Sequence, residues 1–131
     1  MRRSILFRGP ILILTFFGLM TSIGCGPAKV PISDSQQARS LAEKLLVQWK
    51  SGVKIDELPK QSPPVYVSED LWTKEAKLTE FKFLNDGDML GPNVRFKISL
   101  KYTGKDGKVT ERSFNYLVTT TPALTFFREE G

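Results

Sequence analysis

The run of residues 94–102 constrains the fold of this chain more than any other segment. Its even-numbered residues are apolar or aromatic, and its odd-numbered residues are polar or charged. Because successive side chains of a strand point to opposite faces of a sheet, this alternation predicts a strand with one buried face and one solvated face. Such a strand is typical of an antiparallel sheet that is covered on one side only.

Three further strands are predicted at residues 78–84, 111–121 and 123–128. The length of the loop between the strands at residues 94–102 and 111–121 follows from parity. Cross-strand partners share a face, and the apolar residues of both strands carry even numbers. A two-residue turn would bury the wrong face. We therefore predict a three-residue loop at residues 105–107, with Gly107 in the left-handed region. The predicted pairs are Ile98 with Phe114, Phe96 with Tyr116, and Lys101 with Glu111.

Residues 33–50 have the pattern of a long amphipathic helix. Ser33 followed by Gln36 fits a capping box, and Gly52 is placed to end the helix. Apolar residues recur at the three- and four-residue spacing of one helix face, which predicts that this face packs on the sheet. These residues are Ala38, Leu41, Ala42, Leu45, Leu46 and Trp49.

The order of these elements predicts a single α+β domain at residues 33–131. In this fold one long N-terminal helix packs on a four-stranded antiparallel meander in two layers, which is the cystatin-like arrangement. Residues 53–64 are expected to form a proline-rich connector, and residues 85–93 a long polar hairpin loop.

The first 24 residues resemble a bacterial lipoprotein signal. Arginines near the N-terminus precede an apolar run at residues 11–20, and the single cysteine of the chain, Cys25, follows a short stretch of small residues. We therefore expect residues 1–24 to be removed, Cys25 to accept a lipid, and residues 25–32 to form a tether. Gly26 favours the outer membrane over the inner membrane by resemblance to diderm lipoproteins. One alternative is cleavage without lipidation, giving a soluble periplasmic or secreted protein, and another is that the uncharged stretch at residues 9–28 stays as a membrane anchor.

Composition excludes several kinds of function. Histidine is absent, which removes the commonest general base and metal ligand. The lysines are scattered rather than clustered, so nucleic acid is not expected as a partner. We expect no enzyme activity, no cofactor and no metal site. The acidic pair Glu69-Asp70 is expected to be exposed, with Asp70 as a helix cap, and Arg128 is expected to be an edge charge.

The solvated face of the sheet is the candidate contact surface. Its residues are Arg95, Lys97, Ser99, Lys101, Ser113 and Asn115. They suit a non-catalytic, membrane-tethered binding or structural domain that contacts an envelope protein or a polysaccharide. The alternative is a small-molecule carrier or small enzyme with a pocket between helix and sheet, for which Tyr102 and Tyr116 are the polar candidates.

The chain also resembles a group of small, uncharacterised exported proteins from planctomycete-type bacteria. The matching pieces are Trp49-Lys50-Ser51-Gly52, residues 67–72, Asp106-Gly107, residues 116–119, Pro122 and residues 125–128. That group has no assigned activity, so the resemblance implies a fold and not a mechanism. The order of elements is also similar to that of cystatins and of the nuclear-transport-factor-2 superfamily. Proteinase-inhibiting cystatins carry a Gln-x-Val-x-Gly hairpin, which residues 103–108 lack, so inhibition is disfavoured.

Overall fold

The computed structural model describes residues 32–130, which fold into three short helices and six strands. The predicted signal and Cys25 lie outside the described residues. The helices are α1 (Ser35–Lys50), a 3-10 helix (Ile55–Lys60) and α2 (Asp70–Thr73). The strands are β1 (Val65–Ser68), β2 (Lys77–Phe83), β3 (Asp88–Leu90), β4 (Asn93–Thr103), β5 (Val109–Thr119) and β6 (Leu124–Arg128).

The strands form one curled, mixed sheet that resembles half of a barrel. Their order across the sheet is β1-β6-β5-β4-β2, and the short strand β3 pairs with β4 beyond the end of β2. The pairing of β1 with β6 is parallel, whereas the other pairs are antiparallel. The first two strands therefore lie at opposite edges of the sheet, and the last strand, β6, returns to lie beside β1.

The predicted fold class is wrong. Residues 32–130 are mostly sheet, with six strands of mixed direction, and the longest helix among them has 16 residues. The prediction of a four-stranded antiparallel meander missed β1 and β3. A parallel partner is reached through a long crossover rather than a turn, so β1 carries no local hairpin signal. Strand β3 has only three residues, all exposed, in a segment rich in aspartate and glycine.

The predicted hairpin between β4 and β5 is confirmed in register and in turn. Ile98 lies opposite Phe114 and Phe96 lies opposite Tyr116. The backbone N–H of Gly104 donates to Lys108 O at 3.1 Å, which closes a three-residue loop. Gly107 has a φ of 80°, the left-handed conformation that this loop requires. Lys101 also lies opposite Glu111, as predicted.

The core lies between the inner face of the sheet and the apolar stripe of α1. Leu45 and Trp49 are buried in the same cluster as Phe96 and Ile98. Helix α1 packs mainly against β2 and also contacts β5, so it covers only part of the curved sheet. Burying one such apolar side chain contributes about 1.5–3 kcal/mol, which makes this cluster the main source of stability.

The start of the described chain is fixed to one end of the sheet. The predicted cap Ser33 is instead buried, and its backbone N–H donates to Pro92 O at 3.0 Å. Its hydroxyl accepts a hydrogen bond from the backbone N–H of Thr120 at 2.9 Å. The N-cap of α1 is Asp34, whose Oδ1 accepts from the backbone N–H of Gln37. Ser33 therefore ties the chain to the β3–β4 turn and to the β5–β6 loop.

None of the helices in residues 32–130 combines the length and the apolar character that crossing a bilayer requires.

Glycine at position 87 is required by a close approach, and this can be tested. A Cβ at Gly87 would lie 2.6 Å from Cε1 of Phe96 and 2.9 Å from Cγ1 of Val94, whereas a Cβ at Gly91 would meet nothing within 4 Å. Both glycines have positive φ, so alanine at either position is strained by about 1–2 kcal/mol. We expect Gly87→Ala to lose at least about 1 kcal/mol more than Gly91→Ala in urea unfolding, because the core must also shift. Equal losses would contradict the close contact with Phe96.

Candidate functional site

The predicted contact surface is contiguous on the outer face of the sheet, the face opposite the core. Lys97 lies opposite Asn115, and Ser99 lies opposite Ser113. Arg95 and Lys101 continue the same row along β4. Lys97, Ser113 and Asn115 are exposed, whereas Arg95, Ser99 and Lys101 are partly buried. The structure therefore brings all six predicted residues together.

The charges of this face are more balanced than the sequence suggests. A terminal guanidinium nitrogen of Arg95 lies 2.8 Å from Oε1 of Glu129. Lys101 has a glutamate opposite it on each neighbouring strand, Glu80 on β2 and Glu111 on β5. Lys97, by contrast, is exposed and lies opposite a neutral residue. The face is therefore a polar hydrogen-bonding surface rather than a strongly basic one.

An exposed aromatic patch borders the polar residues of the outer face. Tyr66 on β1 is 48% exposed and Phe127 on β6 is 42% exposed. Phe127 lies opposite Leu117 of β5 and Ser68 of β1, which places it on the outer face. Sequence reasoning did not place Phe127 on this face, because the pairing of β6 with β1 was not predicted. Phe126 and Arg128 both face inward, and because side chains alternate along a strand, Phe127 between them faces outward.

A second group of functional interest is a cluster of four polar residues in which only Asp70 is exposed, here called the Glu69 cluster: Glu69, Asp70, Tyr116 and Arg128. Glu69 follows β1 and caps α2, with Oε1 accepting from the backbone N–H of Leu71 at 2.9 Å. The hydroxyl of Tyr116 donates to Oε2 of Glu69 at 2.5 Å. The guanidinium group of Arg128 contacts Glu69 at 3.0 Å and Asp70 at 3.1 Å.

The Glu69 cluster corrects three predictions. Glu69 has a side chain that is 0% exposed, so only Asp70 of the predicted exposed pair is exposed. The cap of α2 is Glu69 rather than Asp70. Arg128 is not an edge charge, since its side chain is only 15% exposed and lies on the inner face opposite Tyr116. Its guanidinium group also lies 4.6 Å from the ring centre of Phe114. No sequence pattern pairs Glu69 with residues so distant along the chain.

Burial dominates the electrostatics of this cluster. It raises the pKa of the Glu69 carboxyl, while the hydrogen bonds from Tyr116 and Leu71 and the charge of Arg128 act in the opposite direction. Burial, together with the neighbouring Glu69 carboxylate, raises the pKa of the Tyr116 hydroxyl as well. The carboxylate oxygens of Glu69 are directed at protein donors. The cluster therefore joins the β1–α2 connection to β5 and β6.

The pKa of Glu69 predicts how stability depends on pH. This pKa is higher in the folded chain than its ordinary value of 4.5. The contribution of Glu69 to the free energy of unfolding is therefore fully present below pH 4.5 and falls as the pH rises through the folded pKa. Glu69→Gln removes this titration and keeps the shape of the side chain. We expect the free energy of unfolding of the wild type, relative to that of Glu69→Gln, to be higher near pH 4 than near pH 8 in urea unfolding. Tyr116→Phe, which removes a donor to the carboxylate, should steepen the decline in stability. A difference between wild type and Glu69→Gln that does not vary with pH would contradict the assignment.

The third feature is a pair of matching helix ends. In α1 the backbone N–H of Val53 donates to Gln48 O, and in α2 the N–H of Ala76 donates to Leu71 O. Both are Schellman motifs, with a left-handed residue at Gly52 in the first and at Glu75 in the second.

Two tryptophans lock these helix ends together. The rings of Trp49 and Trp72 stack with centres 5.2 Å apart and an angle of 4° between planes. Trp49 Nε1 donates to Ala76 O, and Trp72 Nε1 donates to Val53 O, each at 2.9 Å. Each indole therefore bonds to the turn that follows the other tryptophan. Stacking adds about 0.5–1.5 kcal/mol to what burial of the two rings contributes.

An open cleft of about 710 Å³ lies beside this tryptophan pair. It is lined by residues 49–56, 72–73 and 75–77, which come from both helix ends. Tyr102 and Tyr116 are not among its lining residues. The cleft is therefore at the C-terminal end of α1 and not at the position beside Tyr116 that the carrier alternative singled out.

The left-handed conformation of Glu75 gives a test of this turn. Glu75 has a φ of 62°, which strains a residue with a Cβ. We expect Glu75→Gly to raise the free energy of unfolding by about 1 kcal/mol, because glycine relieves that strain. Glu75 also pairs with Lys105 at 3.3 Å, but both side chains are largely exposed. Glu75→Gln is the control, since it removes the charge and keeps the strain, and should stay close to the wild type. Equal effects of both substitutions would contradict the role of the backbone.

Residues 32–130 contain no group of three or more acidic or cysteine side chains placed to hold a metal ion. Comparisons of the chain with known protein families, with curated proteins and with solved structures found no match. The resemblance to exported proteins of planctomycete-type bacteria therefore stays a prediction.

Proposed function

We propose that this protein is a membrane-tethered, non-catalytic domain of the cell envelope that binds a protein partner through the outer face of its sheet. The supporting observation is the exposed aromatic pair, Tyr66 and Phe127, beside the polar residues around Lys97. The tether is the lipid on Cys25, with the outer membrane favoured over the inner one. This address rests on the sequence of residues 1–26.

The composition of the outer face suits a protein partner. Aromatic residues and arginine are enriched at protein interfaces, and tyrosine with arginine supplies many of the residues that dominate binding energy. Here Tyr66, Phe127 and Arg95 share one face with a polar row around Lys97.

The outer face is also large and preorganised enough for this role. The five strands that lie side by side have 4, 5, 11, 11 and 7 residues. With about 3.4 Å per residue and about 4.8 Å between strands, the face measures about 600 Å². A standard interface buries about 800 Å² on each partner. Because the strands are hydrogen-bonded to one another, little ordering is needed when a partner binds.

The cleft beside the tryptophan pair supports a second candidate function, that of a small-molecule carrier. Its volume of about 710 Å³ falls within the range of about 300–1,000 Å³ typical of ligand pockets. Trp49 and Trp72 themselves are nearly covered by each other and by the two turns. The cleft is lined by the apolar side chains of Val53, Ile55 and Ala76 as well as by the charged side chains of Lys50, Lys54 and Asp56.

A pair of matched charge reversals tests the proposed partner surface. Lys97 is exposed on the outer face, and Lys44 is exposed on α1 on the other side of the molecule. We expect Lys97→Glu to reduce recovery of envelope proteins by the tagged lipoprotein at least tenfold, and Lys44→Glu to leave it unchanged. The readout is affinity purification from native envelope after cross-linking.

The aromatic patch has its own control in this experiment. Phe127→Ser should also lose the partner, while Val47→Ser, at a position of similar exposure on α1, should retain it. Equal recovery with all variants would overturn the outer face as the binding site. Recovery of a polysaccharide instead of a protein, with the same dependence on Lys97, would overturn the partner class and keep the site.

A further inference from the structure

One end of the sheet exposes apolar side chains that the core does not use. Met89 and Leu90 of the β3–β4 hairpin are 51% and 41% exposed, and Ile32 is 68% exposed. The hydrogen bond from the backbone N–H of Ser33 to Pro92 O, 3.0 Å long, places Ile32 beside this hairpin. The three side chains, here called the apolar tip, therefore lie at the same end of the domain.

The segment that leads back to Cys25 joins the domain at this end. Cys25 lies seven positions before Ile32 in the sequence. Seven residues span at most about 25 Å when fully extended. If Cys25 carries the proposed lipid, the apolar tip cannot be farther than about this distance from the bilayer. The bilayer is therefore at a high effective concentration for any weak contact that this end can make.

The charges beside the apolar tip select the kind of lipid surface. Asp34 follows Ser33, and Asp88 begins the strand that carries Met89 and Leu90; both aspartates are exposed. Carboxylates are repelled by the negative potential of anionic lipids. Apolar side chains, by contrast, gain by entering the boundary between headgroups and acyl chains. The chemistry of this end fits a surface that is rich in zwitterionic lipid.

We propose that the apolar tip docks on the lipid bilayer and so orients the tethered domain. This inference rests on the proposed lipid anchor at Cys25. Helix α1 starts at this end and extends about 24 Å over its 16 residues. Docking at the tip therefore directs the cleft beside Trp49 and Trp72 away from the membrane. Docking also orients the outer face roughly perpendicular to the bilayer, where a neighbouring envelope protein can reach it.

The test places a fluorophore at either end of the sheet in the full-length lipoprotein. Cys25 is the only cysteine of the chain, so once it carries a lipid an added cysteine is the only free thiol. Leu90→Cys reports the apolar tip, and Val109→Cys is the control at the opposite end, with a similarly exposed apolar side chain. Each variant carries an environment-sensitive dye and is incorporated into vesicles of phosphatidylethanolamine and phosphatidylcholine, with or without a lipid-borne quencher.

We expect blue-shifted emission at position 90 that the lipid-borne quencher reduces at least twofold, and no change at position 109. Flotation of the vesicles reports the anchor separately, with Cys25→Ser as the unlipidated control. Flotation with equal signals at both positions would overturn the docking and leave the anchor intact. Loss of flotation by the chain that retains Cys25 would overturn the anchor, and the docking with it.

Discussion

The carboxylate of Glu69 is the group on which the arrangement of the sheet depends. A buried charge is costly unless donors surround it, and its donors here come from α2, β5 and β6. The connection between β1 and α2 must therefore lie against the inner face at Tyr116 and Arg128. That position brings β1 beside β6, where the two strands pair in parallel. Removing one member of such a group would leave the others buried and incompletely paired.

The tryptophan pair organises the other half of the core. Trp49 ends the apolar stripe of α1, and Trp72 belongs to a helix of only four residues that has little stability of its own. The stacked rings and the two reciprocal indole hydrogen bonds make each helix end a partner of the other. Helix α2 is therefore held by contacts made far along the chain, just as β1 is held through Glu69.

The parts of the fold that could be predicted from sequence are those with a local physical signal. Alternation along β4 determines which side chains share a face, so the six candidate contact residues were placed together correctly. Parity determined the register of β4 with β5. Strand β1 and the Glu69 cluster could not be predicted, because their partners are distant in sequence and neither leaves a periodic pattern. The balance of charge on the outer face depends on the same distant neighbours, as Arg95 and Glu129 illustrate.

The attachment of Ser33 has a mechanical consequence. Any pull transmitted along the segment before Ile32 reaches the domain at a residue bonded to the β3–β4 turn and to the β5–β6 loop. The load then passes into the long strands β4 and β5, whose ladder of hydrogen bonds shares it over 11 residues each. Helix α1 begins only after this point, so its first turn is shielded from tension. In a domain tethered to a moving surface, the tension is thus carried by β4 and β5, the stiffest element of the fold.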